Sequence, residues 1–360
     1  MTSTPRAAPE TITRRMRAFI VGSVLAVYAC GGGAAGPSSP SPTQTSPSPA
    51  SPAVTAAYEY AVTGSPTDIV RPTTAGYVLM GGGTDVDEAM RWLIARSGGG
   101  DILVLRATGT SAYNPYIAGL GTVNSAATLI LKAREASADP FVLDTVQRAE
   151  AIFLAGGDQS DYVTMWKDTP LEDAIRAAAA RGVPVGGTSA GLAVLGQFVY
   201  AALNASAVSA TVLANPYDSS VTLDRGFLDL PGLEGLITDS HFVTRDRLGR
   251  LVTFLGRLLQ DGWTTDARAV GIDERTAVLV DAAGRATIVG SGAAYFLRSA
   301  GRPASCEPGT SLRIDAVDVY KASGTATFDL RAWSGAGGTP YRVSAAAGAI
   351  TSTQPGGSPY

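Results

Sequence analysis

The run Val183-Pro184-Val185-Gly186-Gly187-Thr188-Ser189-Ala190-Gly191 decides how the chain is read. A short apolar strand ends in a Gly-x-Ser-x-Gly turn, and a helix is expected from Ala190 to about Tyr200. A serine hydroxyl is a weak nucleophile that needs exposure and a neighbouring base. A sharp strand-to-helix turn gives the exposure at the cost of crowded backbone, and Gly187 and Gly191 leave room for it. The helix would add partial positive charge and free N–H groups beside a developing oxyanion. The plain structural alternative is a glycine-rich turn.

Outward from this turn, short apolar runs alternate with helical patterns. Tyr77-Val78-Leu79-Met80 runs into Gly81-Gly82-Gly83, and Thr84 to Glu88 reads as a capped helix start. Asp101–Leu105, Thr128–Leu131 and Ala151–Ala155 read as further strands, with helices near Phe141–Arg148 and Leu171–Ala180. Strands without alternation, separated by helices, indicate a parallel sheet covered on both faces. Sites in such sheets form at the carboxyl ends of strands, where the turns after Met80, Ala155 and Val185 lie. After Val270 the texture turns β-rich, with strands expected near 276–280, 286–289 and 316–320.

The ends of the chain read differently. Arg14, Arg15 and Arg17 precede an apolar stretch, Ala18 to Ala29, that stops at Cys30. This is the pattern of a secretory leader, too short for a mature span. Leu25-Ala26-Val27-Tyr28-Ala29-Cys30 resembles a bacterial lipobox, which implies cleavage before Cys30 and lipid on its sulfur. Residues 1–30 are therefore expected to be a leader and 31–56, rich in Ser, Pro and Gly, a disordered spacer. Residues 57–335 would form the catalytic domain and 336–360 a low-complexity tail. An extracytoplasmic location follows, with membrane contact only through the lipid. Cys306 has no expected partner and reads as a buried thiol.

A net charge of −3, from 28 basic and 31 acidic residues, leaves no electrostatic footprint for nucleic acid. The chain has one histidine, His241, in Asp239-Ser240-His241-Phe242-Val243-Thr244-Arg245-Asp246-Arg247-Leu248-Gly249-Arg250. It is the only imidazole that can serve Ser189 as base. Arg245, Arg247 and Arg250 could clamp a carboxylate; a solvated helix face carrying three arginines is the structural alternative. A carboxylate should orient the imidazole. Glu274, Asp218, Asp224 and Asp239 are all candidates, and spacing does not choose among them.

Four of these runs, in this order, resemble the cyanophycinase branch of the S51 serine peptidases: Ala155-Gly156-Gly157-Asp158-Gln159, Gly187–Gly191, Asp239–Leu251, and Gly271-Ile272-Asp273-Glu274 with Thr276-Ala277. The resemblance implies an α/β fold, a three-layer α/β/α sandwich with a mostly parallel sheet, like the class I glutamine amidotransferases. It implies Ser189 as nucleophile, His241 as base and then acid, and Glu274 as orienting carboxylate. Gly157 and Ala190 would supply oxyanion N–H groups. Gln159, Asp239, Arg245, Arg247 and Arg250 would line the substrate pocket. The implied substrate is cyanophycin, poly-aspartate with arginine on each side-chain carboxyl, cut to β-Asp-Arg without metal or cofactor. One departure stands out: Ser240 occupies the place of the family's Gln.

The expected function is thus a secreted exopeptidase on a peptide substrate bearing aspartyl and arginyl groups, with a homodimer among the expected assemblies. An S51 dipeptidase for α-aspartyl or other acidic peptides is the near alternative. A non-catalytic lipoprotein that captures acidic peptides is the distant one. Amidotransferase chemistry would call for Cys at position 189.

Overall fold

The computed structural model describes residues 57–360; the expected leader, the spacer and Cys30 lie outside the described residues. The described residues open with strands β1 (Tyr58–Gly64), β2 (Gly76–Met80), β3 (Asp101–Arg106), β4 (Ser125–Leu131), β5 (Ala151–Leu154) and β6 (Val185–Thr188). Between them lie helices α1 (Asp87–Arg96), α2 (Tyr113–Leu120), α3 (Pro140–Arg148), α4 (Gln159–Trp166) and α5 (Pro170–Ala180). Strands β4, β3, β5, β6 and β2 pair in parallel in that order. The fold is α/β, as expected, with this parallel block at its centre.

Both faces of the block are apolar because both are covered. Along β3, Ile102 and Val104 pack with Met90 and Leu93 of α1 and Ile117 of α2. The alternating Leu103 and Leu105 pack with Val142 and Val146 of α3 and Ile175 of α5. Period-two side chains between two helical layers account for the unbroken apolar runs.

A second sheet carries the histidine. Past Ser189 come α6 (Ala190–Ala193), β7 (Phe198–Tyr200), α7 (Ser209–Ala214), β8 (Leu223–Arg225), β9 (Leu236–Asp239), α8 (Leu248–Gln260) and β10 (Asp266–Ile272). Strands β11 (Thr276–Asp281) and β12 (Arg285–Gly290) return to the first sheet, antiparallel beside β2. Then β13 (Ala294–Ala300) and β14 (Ile314–Ala322) extend the second sheet from β10. Val270, Ile272 and Phe296 face the main core, while Ala267, Ala269 and Leu297 face α8. Helix α8 buries Leu251, Phe254, Leu255 and Leu258 in that second core, each contributing roughly 1.5–3 kcal/mol.

Two expectations are corrected. The helix after Ser189 ends at Ala193, and Phe198–Tyr200 becomes a strand. Gly196 marks the change: a side chain there would come within 2.6 Å of the Leu236 carbonyl. The expected low-complexity tail is ordered. Thr339–Ala346 pairs with β14 and Ala349–Ser352 with Thr339–Ala346. Small residues hid the alternation that buries Tyr341, Val343 and Ala345.

Candidate active site

Three strand ends converge. Met80 at the end of β2 pairs with Thr188 at the end of β6, and Asp239 of β9 lies opposite Gly271 of β10 in parallel register. The residues that follow these strands therefore leave the sheets on one side. Ser189 follows β6 with φ +53° and ψ −113°, a strained conformation for a residue with a side chain. The glycines of the turn are required by close approach: a side chain at Gly191 would come within 2.0 Å of the Leu154 carbonyl, and one at Gly187 within 2.5 Å of the Gly191 carbonyl.

Ser189 Oγ lies 2.7 Å from His241 Nε2, and His241 Nδ1 lies 2.6 Å from Glu274 Oε1. An ionised carboxylate only accepts, so Nδ1 carries the proton and Nε2 accepts from the serine hydroxyl. Burial lowers the imidazole pKa, against the Glu274 hydrogen bond, which raises it. The ring is thus neutral at neutral pH, with Nε2 able to accept a proton. The bond to His241 holds Glu274 below the usual glutamate range.

The other carboxylates that spacing left open take different places. Asp239 is 2% exposed and bound to arginine. Asp218 accepts from Ser220, and Asp224 pairs with Lys167.

Ala190 begins α6, so its N–H has no intrahelical acceptor. That helix is only four residues long, so the expected helix-dipole contribution reduces to this local N–H. Gly156 brings the second turn to the serine: a side chain on it would stand 3.4 Å from Ser189 Cβ. The next residue, Gly157, is exposed. Asp158 caps α4 through the Ser160 N–H. Gln159 donates to the Tyr200 carbonyl at 3.4 Å.

The three arginines do not form one clamp. Arg250 is 1% exposed and donates to Asp239 through Nε at 2.7 Å and Nη2 at 2.5 Å. Its Nη1 reaches Ser206 and the Ala207 carbonyl, and its guanidinium lies over Tyr200. Arg247 spends Nη1 on Asp239 and on the carbonyl and hydroxyl of Ser240. Arg245 is exposed. The sequence reading placed the Gly81–Gly83 turn near the site but missed its contacts with the series, and it missed Ser206 and Tyr200 as partners of Arg250.

Serine, imidazole and carboxylate are thus hydrogen-bonded in series where strands end, an arrangement that can activate a hydroxyl as nucleophile. Residues 78–211 match the model of peptidase family S51. The chain is 33% identical over 152 residues to a cyanophycinase of Synechococcus elongatus, covering 42% of each chain. It is 29% identical over 165 residues to a cyanophycinase of Trichormus variabilis, covering 46% of this chain and 50% of that one. The chain thus spans about half the length, or less, of the curated relatives it matches. A solved peptidase from an acI-B1 Actinobacterium superposes with TM-score 0.47 at 20% identity, over 64% of this chain and 96% of that one. Residues 78–211 are thus similar to peptidase family S51, and the relatives matched at 29–33% identity are cyanophycinases.

Proposed function

We propose that this chain is a serine exopeptidase that hydrolyses cyanophycin to β-Asp-Arg. The observation that carries the reading is the series Ser189 Oγ, His241 Nε2, His241 Nδ1 and Glu274 Oε1, with contacts of 2.7 and 2.6 Å. In the proposed reaction His241 takes the Ser189 proton as Oγ attacks the scissile carbonyl. The Gly157 and Ala190 N–H groups stabilise the oxyanion. His241 then protonates the leaving amine, and a water activated by the same imidazole releases the acyl group. Glu274 keeps the ring in the reactive tautomer and offsets its charge.

In this reading exposed Arg245 meets a substrate carboxylate, and Gln159 lines the same side. Asp239 and Arg250 shape the pocket from beneath, and Arg247 links them to Ser240. A second reading, cleavage of α-aspartyl or other acidic dipeptides, is favoured by Ser240. Ser240 is 3% exposed and its hydroxyl lies 3.3 Å from Arg247 Nη1, so it reaches no further into the pocket. A hydrolysis panel separates the two. Turnover of cyanophycin with little on α-Asp dipeptides supports the first reading; the reverse supports the second.

The proposal also sets the domain outside the cytoplasm on a lipid at Cys30. Radiolabelled fatty acid should enter the full chain but not its Cys30→Ser variant, and label in both would overturn that assignment.

A further inference from the structure

Three successive carbonyls, Met80 to Gly82, reach Ser189, His241 and the residue that follows Glu274, and no side chain of the turn is involved. The carbonyl of Met80 accepts the Ser189 N–H at 3.2 Å, that of Gly81 the His241 N–H at 2.7 Å, and that of Gly82 the Arg275 N–H at 2.9 Å. Arg275 follows Glu274 directly. Ser189, His241 and Arg275 all sit at positive φ, +53°, +49° and +55°. Side chains disfavour that region, so these conformations persist only where the surroundings hold them. Three successive carbonyls, from the end of β2 into the turn, do so at three separate places in the chain.

The turn also shapes the space of the imidazole. Gly82 has φ +91°, and a Cβ on it would stand 2.6 Å from both Cε1 and Nε2 of His241. The ring fills the volume a side chain would need, on the edge that bonds Ser189. Gly83 has φ +75°, and a Cβ there would lie 3.1 Å from Glu274 Cβ. A side chain at Gly81 would meet the Asp273 carbonyl at 2.0 Å, so the turn lies close against the β10–β11 connection that carries Glu274.

We infer that Gly82 is a positioning residue: its bare face is the slot that keeps His241 Nε2 on Ser189 Oγ. The inference rests on the serine-peptidase reading above, and its test separates failure of one from failure of the other.

Gly182 supplies a matched control, with the same φ of +91° and nothing within 4 Å of an added Cβ. Gly82→Ala and Gly182→Ala therefore share the backbone strain, and only the first pushes on the imidazole. Both are made in the full chain, and the rate of fluorophosphonate attachment to Ser189 is measured at equal folded fraction. Because His241 is the only histidine, its ring protons are also read directly by NMR. Gly182→Ala should match wild type in both. Gly82→Ala should label at least tenfold more slowly, as misplacement by about 1 Å can slow a reaction about 100-fold, and should shift the His241 resonances. Wild-type rates and resonances in Gly82→Ala overturn the inference. If wild-type Ser189 takes no label, the peptidase reading fails, and the His241 resonances still decide the positioning role. Should Gly82→Ala not fold, Gly83→Ala replaces it, against Gly309→Ala, which has φ +72° and open space. The Glu274 bond raises the His241 pKa, so Gly83→Ala should move its titration to lower pH. An unmoved titration overturns the role of the turn.

Discussion

Arg250 holds Asp239 by two hydrogen bonds, 2.7 Å from Nε and 2.5 Å from Nη2, with neither side chain more than 2% exposed. Asp239 ends β9, two residues before His241, so this pair anchors the strand end that delivers the imidazole. Removing one partner of a buried pair strands the other charge. Arg250→Ala should therefore lose about 3 kcal/mol in denaturant unfolding. A substrate-clamping arginine would behave differently, raising KM and leaving stability near wild type.

Ser189→Ala and His241→Ala should each remain folded and lose about 10⁵- to 10⁶-fold in kcat, since members of such a unit fail together. The double variant should be hardly worse than either single one. Steady-state kinetics with circular dichroism checks both points, and additive losses would break the proposed unit.

The pH dependence follows from the histidine. Burial lowers its pKa below the ordinary 6.5, and only the neutral ring can accept the Ser189 proton. The kcat/KM profile should therefore be level near neutrality and fall on the acid side with a midpoint below 6.5. Stability has the same sign: the unfolded imidazole takes its proton at higher pH than the folded one, so acid favours unfolding through this group. An acid limb centred above 6.5 would contradict the assignment of His241.

Tyr360 reaches back to the histidine loop. Its hydroxyl accepts from the Leu248 N–H at 2.9 Å and donates to Asp246 at 2.8 Å. Its ring meets Phe242 edge-on at 5.7 Å. Tyr360→Phe leaves the first N–H of α8 without its acceptor and should lose about 1–3 kcal/mol, read by urea unfolding. Unchanged stability would show that this contact contributes nothing.

The parallel core was legible because unbroken apolar runs such as Ile102–Leu105 put apolar side chains on both faces of a strand, and both must be covered. Ser189 and His241 stood out by turn chemistry and by being without rivals. Glu274 did not, because its meeting with His241 depends on the pairing of Asp239 with Gly271, a tertiary register absent from local spacing. The arginines misled in another way: their number suggested one clamp, but Asp239 turns Arg250 inward and engages Arg247. The last strands escaped notice because Ser, Ala and Gly pair through backbone whatever their side chains suggest.

The most direct test of the account incubates the full chain, beside its Ser189→Ala variant, with insoluble cyanophycin and reads the soluble products by mass spectrometry. The account predicts β-Asp-Arg from the wild type and none from the variant. Release of the dipeptide by both proteins, or by neither, would contradict it.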